Sequence, residues 1–159
     1  MNFKLVNVGI ADIGVAMTPD ILRTILGSCV GICLHDPSSR VAGLSHIMLP
    51  EHSDSNSNEK KYADTAIPLL ITRMEESGAK RSNIQAKIVG GAMMFKISES
   101  SMMSEIGRNN VKKVREVLQA QGIGIVAEDV GGDYGRTIDF YAENGQLKIR
   151  SLGRSEKIL

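Results

Sequence analysis

The chain has 159 residues, with 19 Lys and Arg against 18 Asp and Glu and a net charge of +1. That balance, with no block of like charge and with three Phe, three Tyr and no Trp, gives no sign of nucleic-acid or anionic-membrane binding. At 42 % hydrophobic residues the chain can fill a core, and its length fits one domain, expected over residues 1–159.

The start, MNFKLVNVGIADIGVAM, lacks a basic stretch followed by a continuous apolar run and a small-residue cleavage site. No segment reaches the ~18 apolar residues of a membrane span. A cytoplasmic protein without membrane insertion is expected. Phe3, Leu5, Val6 and Val8, then residues 13–17, read as short strands near Gly9 and Gly14, and Ile21 to Leu26 leads into the central stretch.

That stretch is LGSCVGICLHDPSSRVAGLSHIMLP, residues 26–50. A Gly27-Ser28 turn presents Cys29, an apolar strand follows, Asp36-Pro37-Ser38-Ser39 turns the chain, and an alternating run from Val41 to Leu49 carries His46. This order suits a hairpin that returns an imidazole beside a thiol, the meeting that cysteine nucleophiles need. Cys33 lies within an apolar run and reads as a small buried hydrophobe. Four residues along a strand would put the two cysteines about 13 Å apart, beyond disulfide reach. The same spread, with no CxxC pair, argues against a metal site built on Cys29, Cys33, His35 and His46. His35 and His52 read as solvated turn residues.

After Pro50, the polar run EHSDSNSNEK has the composition of a loop with several possible helix caps. Tyr62, Ala66, Leu69, Leu70 and Met74 recur at helical spacing, with Gly78 as a stop. Pro68 predicts either a kink in that helix, the favoured reading, or a regular helix that starts only near Pro68. Ile84 to Val89 reads as a strand ending at Gly90-Gly91, and Met93, Met94 and Phe95 form an apolar patch before the polar Ser98–Ser101. A second helix is expected from about Asn110 to Ala120, with Val111, Val114, Val117 and Leu118 on one face. Ile123 to Val130 is a further strand, and Ile138–Tyr141 with Leu147–Leu152 form a hairpin around Asn144-Gly145. GGDYGRT, residues 131–137, follows a strand, but it lacks the Walker lysine and the dinucleotide fingerprint, so it reads as a turn. The Met93-Met94 and Met102-Met103 pairs read more readily as core filling than as a docking surface. Together these elements predict an α/β single-domain sandwich of mainly antiparallel sheet covered by two helices.

The central stretch closely resembles the signature of the chemoreceptor glutamine deamidases, the CheD family: a threonine, Leu-Gly-Ser-Cys, an apolar strand, Asp-Pro and Gly-x-x-His-x-Met-Leu-Pro. Tyr62–Pro68, Gly90–Phe95, Ile106–Asn109 and Glu128–Gly132 with Gly135-Arg136 continue the resemblance in order. It implies a papain-like, toxin-deamidase-like fold and a cytosolic enzyme that converts receptor glutamine side chains to glutamate. Cys29 would be the nucleophile and His46 the base and acid, with no cofactor and no metal. The third position is a threonine six residues before the cysteine in the family member compared. Arg23 stands there in this chain, with Thr24 one residue closer, so either Thr24 takes the role or another group does. The implied partners are the cytoplasmic helices of chemotaxis receptors and a CheC-type phosphatase. A regulator acting mainly by binding that phosphatase, and a receptor glutamate methylesterase using the same thiol, are the alternatives.

Overall fold

The computed structural model describes residues 2–53, 58–94 and 105–159. Phe95, Ser98–Ser101 and the Met102-Met103 pair lie outside them. Two five-stranded sheets stack face to face. The first has the order β1 (Leu5–Asn7), β3 (Ile21–Leu26), β8 (Arg136–Tyr141), β9 (Leu147–Arg150), β10 (Lys157–Ile158). In the second the order is β2 (Asp12–Met17), β5 (Val41–Ile47), β4 (Val30–Asp36), β6 (Gln85–Gly90), β7 (Ile125–Val130). Pairing is antiparallel except for β1 with β3 and β6 with β7.

Two helices, α1 (Ala63–Glu76) and α2 (Ile106–Ala120), cover the second sheet. Val30, Ile32, Leu34, Val41 and Ile47 pack with Ile67, Leu70, Val114 and Leu118 in the helix-facing core. Cys33, Ala42, Leu44 and Val89 pack with Leu22, Ile138 and Phe140 between the sheets. The expected sandwich is therefore present, with helices on one outer side. Because β4 and β5 are covered on both faces, all fourteen of their residues are buried.

The β4–β5 hairpin forms as expected, with Gly31 opposite His46. Asp36 closes its turn by accepting the Ser38 N–H at 2.8 Å. The Asn144-Gly145 hairpin also forms, with Asn144 Oδ1 accepting the Gln146 N–H at 3.0 Å. Residues 131–135 make a turn, and Arg136 beside it is buried against Asp129 and stacked on Tyr134 rather than offered to a phosphate. Pro68 lies inside one continuous α1, where its missing N–H leaves the Asp64 carbonyl without an intrahelical donor.

Three readings change. The second helix begins at Ile106, a turn earlier than expected, because Gly107 is a packing residue and not a breaker. His35 is not a solvated turn residue: it is buried on β4, bonds the Ala142 carbonyl at 2.8 Å and meets Phe140 edge-on. His52 is half-buried against Tyr62.

Candidate active site

Strand β3 belongs to one sheet and β4 to the other, so Gly27, Ser28 and Cys29 carry the chain across between them. The crossing is pinned by backbone bonds: Gly91 N–H donates to the Cys29 carbonyl at 2.8 Å and Ala92 N–H to the Gly27 carbonyl at 3.0 Å. Gly90, with φ of 104°, is needed here because a Cβ at that position would run into the Cys29 carbonyl oxygen. Cys29 is half-buried and free, while Cys33 is fully buried and free.

Side chains alternate along β3. Leu22, Thr24 and Leu26 are buried between the sheets, while Ile25 is 70 % exposed. Arg23 points the other way from Thr24, and its guanidinium holds Asp139 through Nε at 2.6 Å and a second nitrogen at 2.9 Å. On β5, Ala42, Leu44 and His46 share one parity, so His46 faces the other sheet. There it meets Thr24, whose Oγ1 lies 2.7 Å from His46 Nδ1. The same oxygen donates to the Val8 carbonyl at 2.7 Å.

That pair of bonds determines the imidazole tautomer. The hydroxyl has one proton and the carbonyl can only accept, so the proton goes to Val8 and Oγ1 accepts from His46. Nδ1 therefore carries hydrogen and Nε2 carries the lone pair. Nε2 is buried and has no hydrogen-bond partner among the described residues. A cleft of ≈ 360 Å³ is lined by Asn7, Val8, Arg23, Thr24, Cys29 and His46. Of the predicted site residues, the structure gathers Cys29, His46 and Thr24 at one cavity.

Burial sets the charge state. Desolvation pushes the His46 imidazole down to about 4 and the Cys29 thiol up, the latter offset in part by its own backbone N–H. Both groups of the free site are thus held neutral at pH 7. A thiolate–imidazolium pair is not what this environment favours, because no described charge compensates a buried imidazolium. Cys33 is pushed up much further, by complete burial.

A sequence profile described as CheD chemotactic sensory transduction matches residues 48–151. The chain is 49 % identical, over all of both chains, to a protein of Caldanaerobacter subterraneus subsp. tengcongensis. The chain belongs to the CheD family. A Clostridium novyi member is 48 % identical over 96 % of both chains, and a Syntrophomonas wolfei member 46 % identical over 98 % of this chain and 99 % of that one. All three carry the name "Probable chemoreceptor glutamine deamidase CheD". A Neisseria meningitidis protein of family-model DUF152 shares the fold, with a TM-score of 0.53 at 9 % identity over 80 % of this chain and 64 % of that one. The CheD chain thus spans under two thirds of that protein.

Sequence reasoning missed two features of this CheD site. One is the Val8 carbonyl, which no side-chain motif announces. The other is the Arg23–Asp139 ion pair, whose members lie 116 positions apart. A usable signal did exist for the third position: the period-two alternation of β3 places Thr24 with Leu22 and Leu26 and sets Arg23 on the opposite face.

Proposed function

We propose that the protein hydrolyses the side-chain carboxamide of glutamine residues in chemotaxis receptors, yielding glutamate and ammonia, in the cytoplasm. Cys29 is the nucleophile, His46 the proton carrier and Thr24 the group that orients it. The observation that carries this reading is His46 itself: Nδ1 is engaged by Thr24, and the unpartnered Nε2 shares a cleft with the Cys29 thiol.

From neutral partners, His46 Nε2 takes the thiol proton as sulfur attacks the carboxamide carbon. The carbonyl π pair moves onto oxygen, and the Cys29 N–H, which faces the sulfur, lies where it can stabilise that oxyanion. His46 then delivers the proton to nitrogen as the C–N bond breaks and ammonia leaves, since an unprotonated amide nitrogen is a very poor leaving group. Water adds to the thioester with His46 accepting its proton, and the proton returns to sulfur as the C–S bond breaks. The thiol is regenerated and one carboxylic acid is formed. Thr24 keeps Nδ1 protonated and the ring in place throughout, the office of a third triad member.

The names of the relatives supply the receptor as substrate; the residues supply the chemistry. No helix among the described residues is long and apolar enough to cross a membrane. The proposed substrate is the receptors' cytoplasmic helices. A CheC-type phosphatase belongs to the same proposal as binding partner, and titration calorimetry of the two purified proteins tests it. Incubation with a receptor cytoplasmic fragment, followed by peptide mass mapping, should show Gln-to-Glu conversion with ammonia release. Methanol release from methylated fragments would favour the esterase reading. Unchanged deamidation by folded Cys29→Ala would remove Cys29 as nucleophile.

A further inference from the structure

Asn110 is fully buried on α2, a polar side chain amid Val111, Val114 and Leu118. Its carboxamide nitrogen has two hydrogens and two acceptors: the Ser28 carbonyl at 3.3 Å and the Met48 carbonyl at 2.9 Å. One belongs to the residue before Cys29, the other to the second residue after His46. The same side chain therefore touches both halves of the site from behind.

Its seat is built for the purpose. One turn earlier on α2, a Cβ on Gly107 would lie 2.7 Å from the Gly91 carbonyl carbon and 2.8 Å from the Ala92 oxygen. Gly91 and Ala92 are the residues whose N–H groups hold the Cys29 and Gly27 carbonyls. Only glycine at 107 lets the helix approach closely enough for Asn110 to reach Ser28.

We propose that Asn110 is a positioning residue for the reaction: it fixes the plane of the Ser28–Cys29 peptide, aims the Cys29 N–H at the reacting carbonyl, and ties that peptide to the end of the histidine strand. A trans peptide carries its C=O and N–H on opposite sides. Drawing the Ser28 oxygen towards α2 consequently turns the Cys29 N–H away from α2, towards its own sulfur, where an oxyanion would form. The Met48 bond holds β5 in register with this peptide. Asn110 Oδ1 is buried without a partner among the described residues. Leucine would remove that unmatched acceptor but would leave the Ser28 and Met48 carbonyls without this donor, so the amide is kept for the two carbonyls it holds.

The inference rests on Cys29 being the nucleophile, which Cys29→Ala in the same assay tests separately. Asn110→Leu should lower kcat for a receptor fragment by roughly 10- to 100-fold with KM changed by less than about twofold, because oxyanion donors act in the transition state and not in docking. Asn110→Asp adds a readout that a structural role would not move. Its neutral acid can still donate one hydrogen bond, whereas its carboxylate faces two carbonyls with none. Relative to the parent, its kcat should fall at least about tenfold as pH rises through the titration of this buried acid, which burial beside two carbonyls lifts above the ordinary carboxylate range, with the folded fraction by circular dichroism constant. A parent-like kcat in Asn110→Leu, or a pH profile of Asn110→Asp parallel to the parent's, overturns the proposal. If Asn110→Leu does not fold, the Asn110→Asp profile decides alone. Failure of both variants to fold assigns Asn110 to the fold and likewise overturns it. In each of these cases an inactive Cys29→Ala leaves the nucleophile assignment standing.

Discussion

Thr24 Oγ1 and His46 Nδ1 lie 2.7 Å apart across the gap between the two sheets, and the Thr24 proton is already given to Val8. The hydroxyl thus behaves as a pure acceptor towards the imidazole. It selects the tautomer that leaves Nε2 basic, as an aspartate does in other triads but without adding charge to a buried site.

Thr24→Val keeps the shape and removes the acceptor, so the ring loses its tautomer and orientation. A loss of kcat of about 10- to 100-fold is expected, by analogy with the partners that orient metal-ligating histidines. Thr24→Ser should retain most activity, and Arg23→Ala should retain more than Thr24→Val because Arg23 is turned towards Asp139. A larger loss in Arg23→Ala than in Thr24→Val would reassign the third position.

The threonine also shows what a sequence can and cannot disclose. The hairpin is legible because Asp36-Pro37 separates two apolar runs whose residues must face each other, and Cys29 with His46 follows from it. Choosing between Arg23 and Thr24 by counting back from the cysteine is ambiguous, since a crossing segment of undetermined geometry intervenes. The pleat supports Thr24 for the proposed role, since Leu22, Thr24 and Leu26 share the buried face. Asn110 is illegible as a site residue because its partners are two carbonyls, and backbone acceptors leave no trace in side-chain motifs. His35 reads as solvated for its nearness to the turn, although β4 continues through it and is covered on both faces.

A neutral dyad makes a specific pH–rate profile. Activity needs unprotonated His46, whose pKa burial lowers to about 4, and protonated Cys29, which burial raises above the ordinary thiol value. In the free enzyme, kcat/KM should follow a broad bell whose acid limb lies near pH 4 and whose alkaline limb lies above the usual cysteine range. An acid limb near the ordinary histidine value of ~6.5 would show that His46 is not desolvated in solution.

The same burial links His46 to stability. Between pH 6.5 and about 4 the unfolded chain binds a proton at this histidine that the folded chain refuses. Stability must therefore be complete above about 6.5 and decline as pH falls towards 4, by about 3 kcal/mol at most from this residue. His35, also lowered by burial, acts in the same direction. Urea denaturation at about pH 7 and about pH 4.5 should show a smaller difference in His46→Gln than in the parent. Equal differences would mean that His46 keeps its ordinary pKa when folded.

The two thiols offer the sharpest test of the neutral pair. Cys33 is completely buried between the sheets and pushed strongly towards the thiol form, whereas Cys29 is half-buried at the cleft. A substoichiometric alkylating agent should label Cys29 and spare Cys33 in the folded protein, and label both alike in denaturant. The pH dependence then separates two charge states. An ion pair would give a Cys29 rate that is already high and level between about pH 5 and 8 and that collapses in His46→Ala. A neutral pair predicts a slow rate at mildly acidic pH that climbs steadily with thiolate, beyond the usual value of ~8.5, and that changes little in His46→Ala. The burial of both groups favours the second pattern. A level rate through that range would mean that the thiolate is formed before substrate arrives, and that His46 enters the reaction as an acid and not as a base.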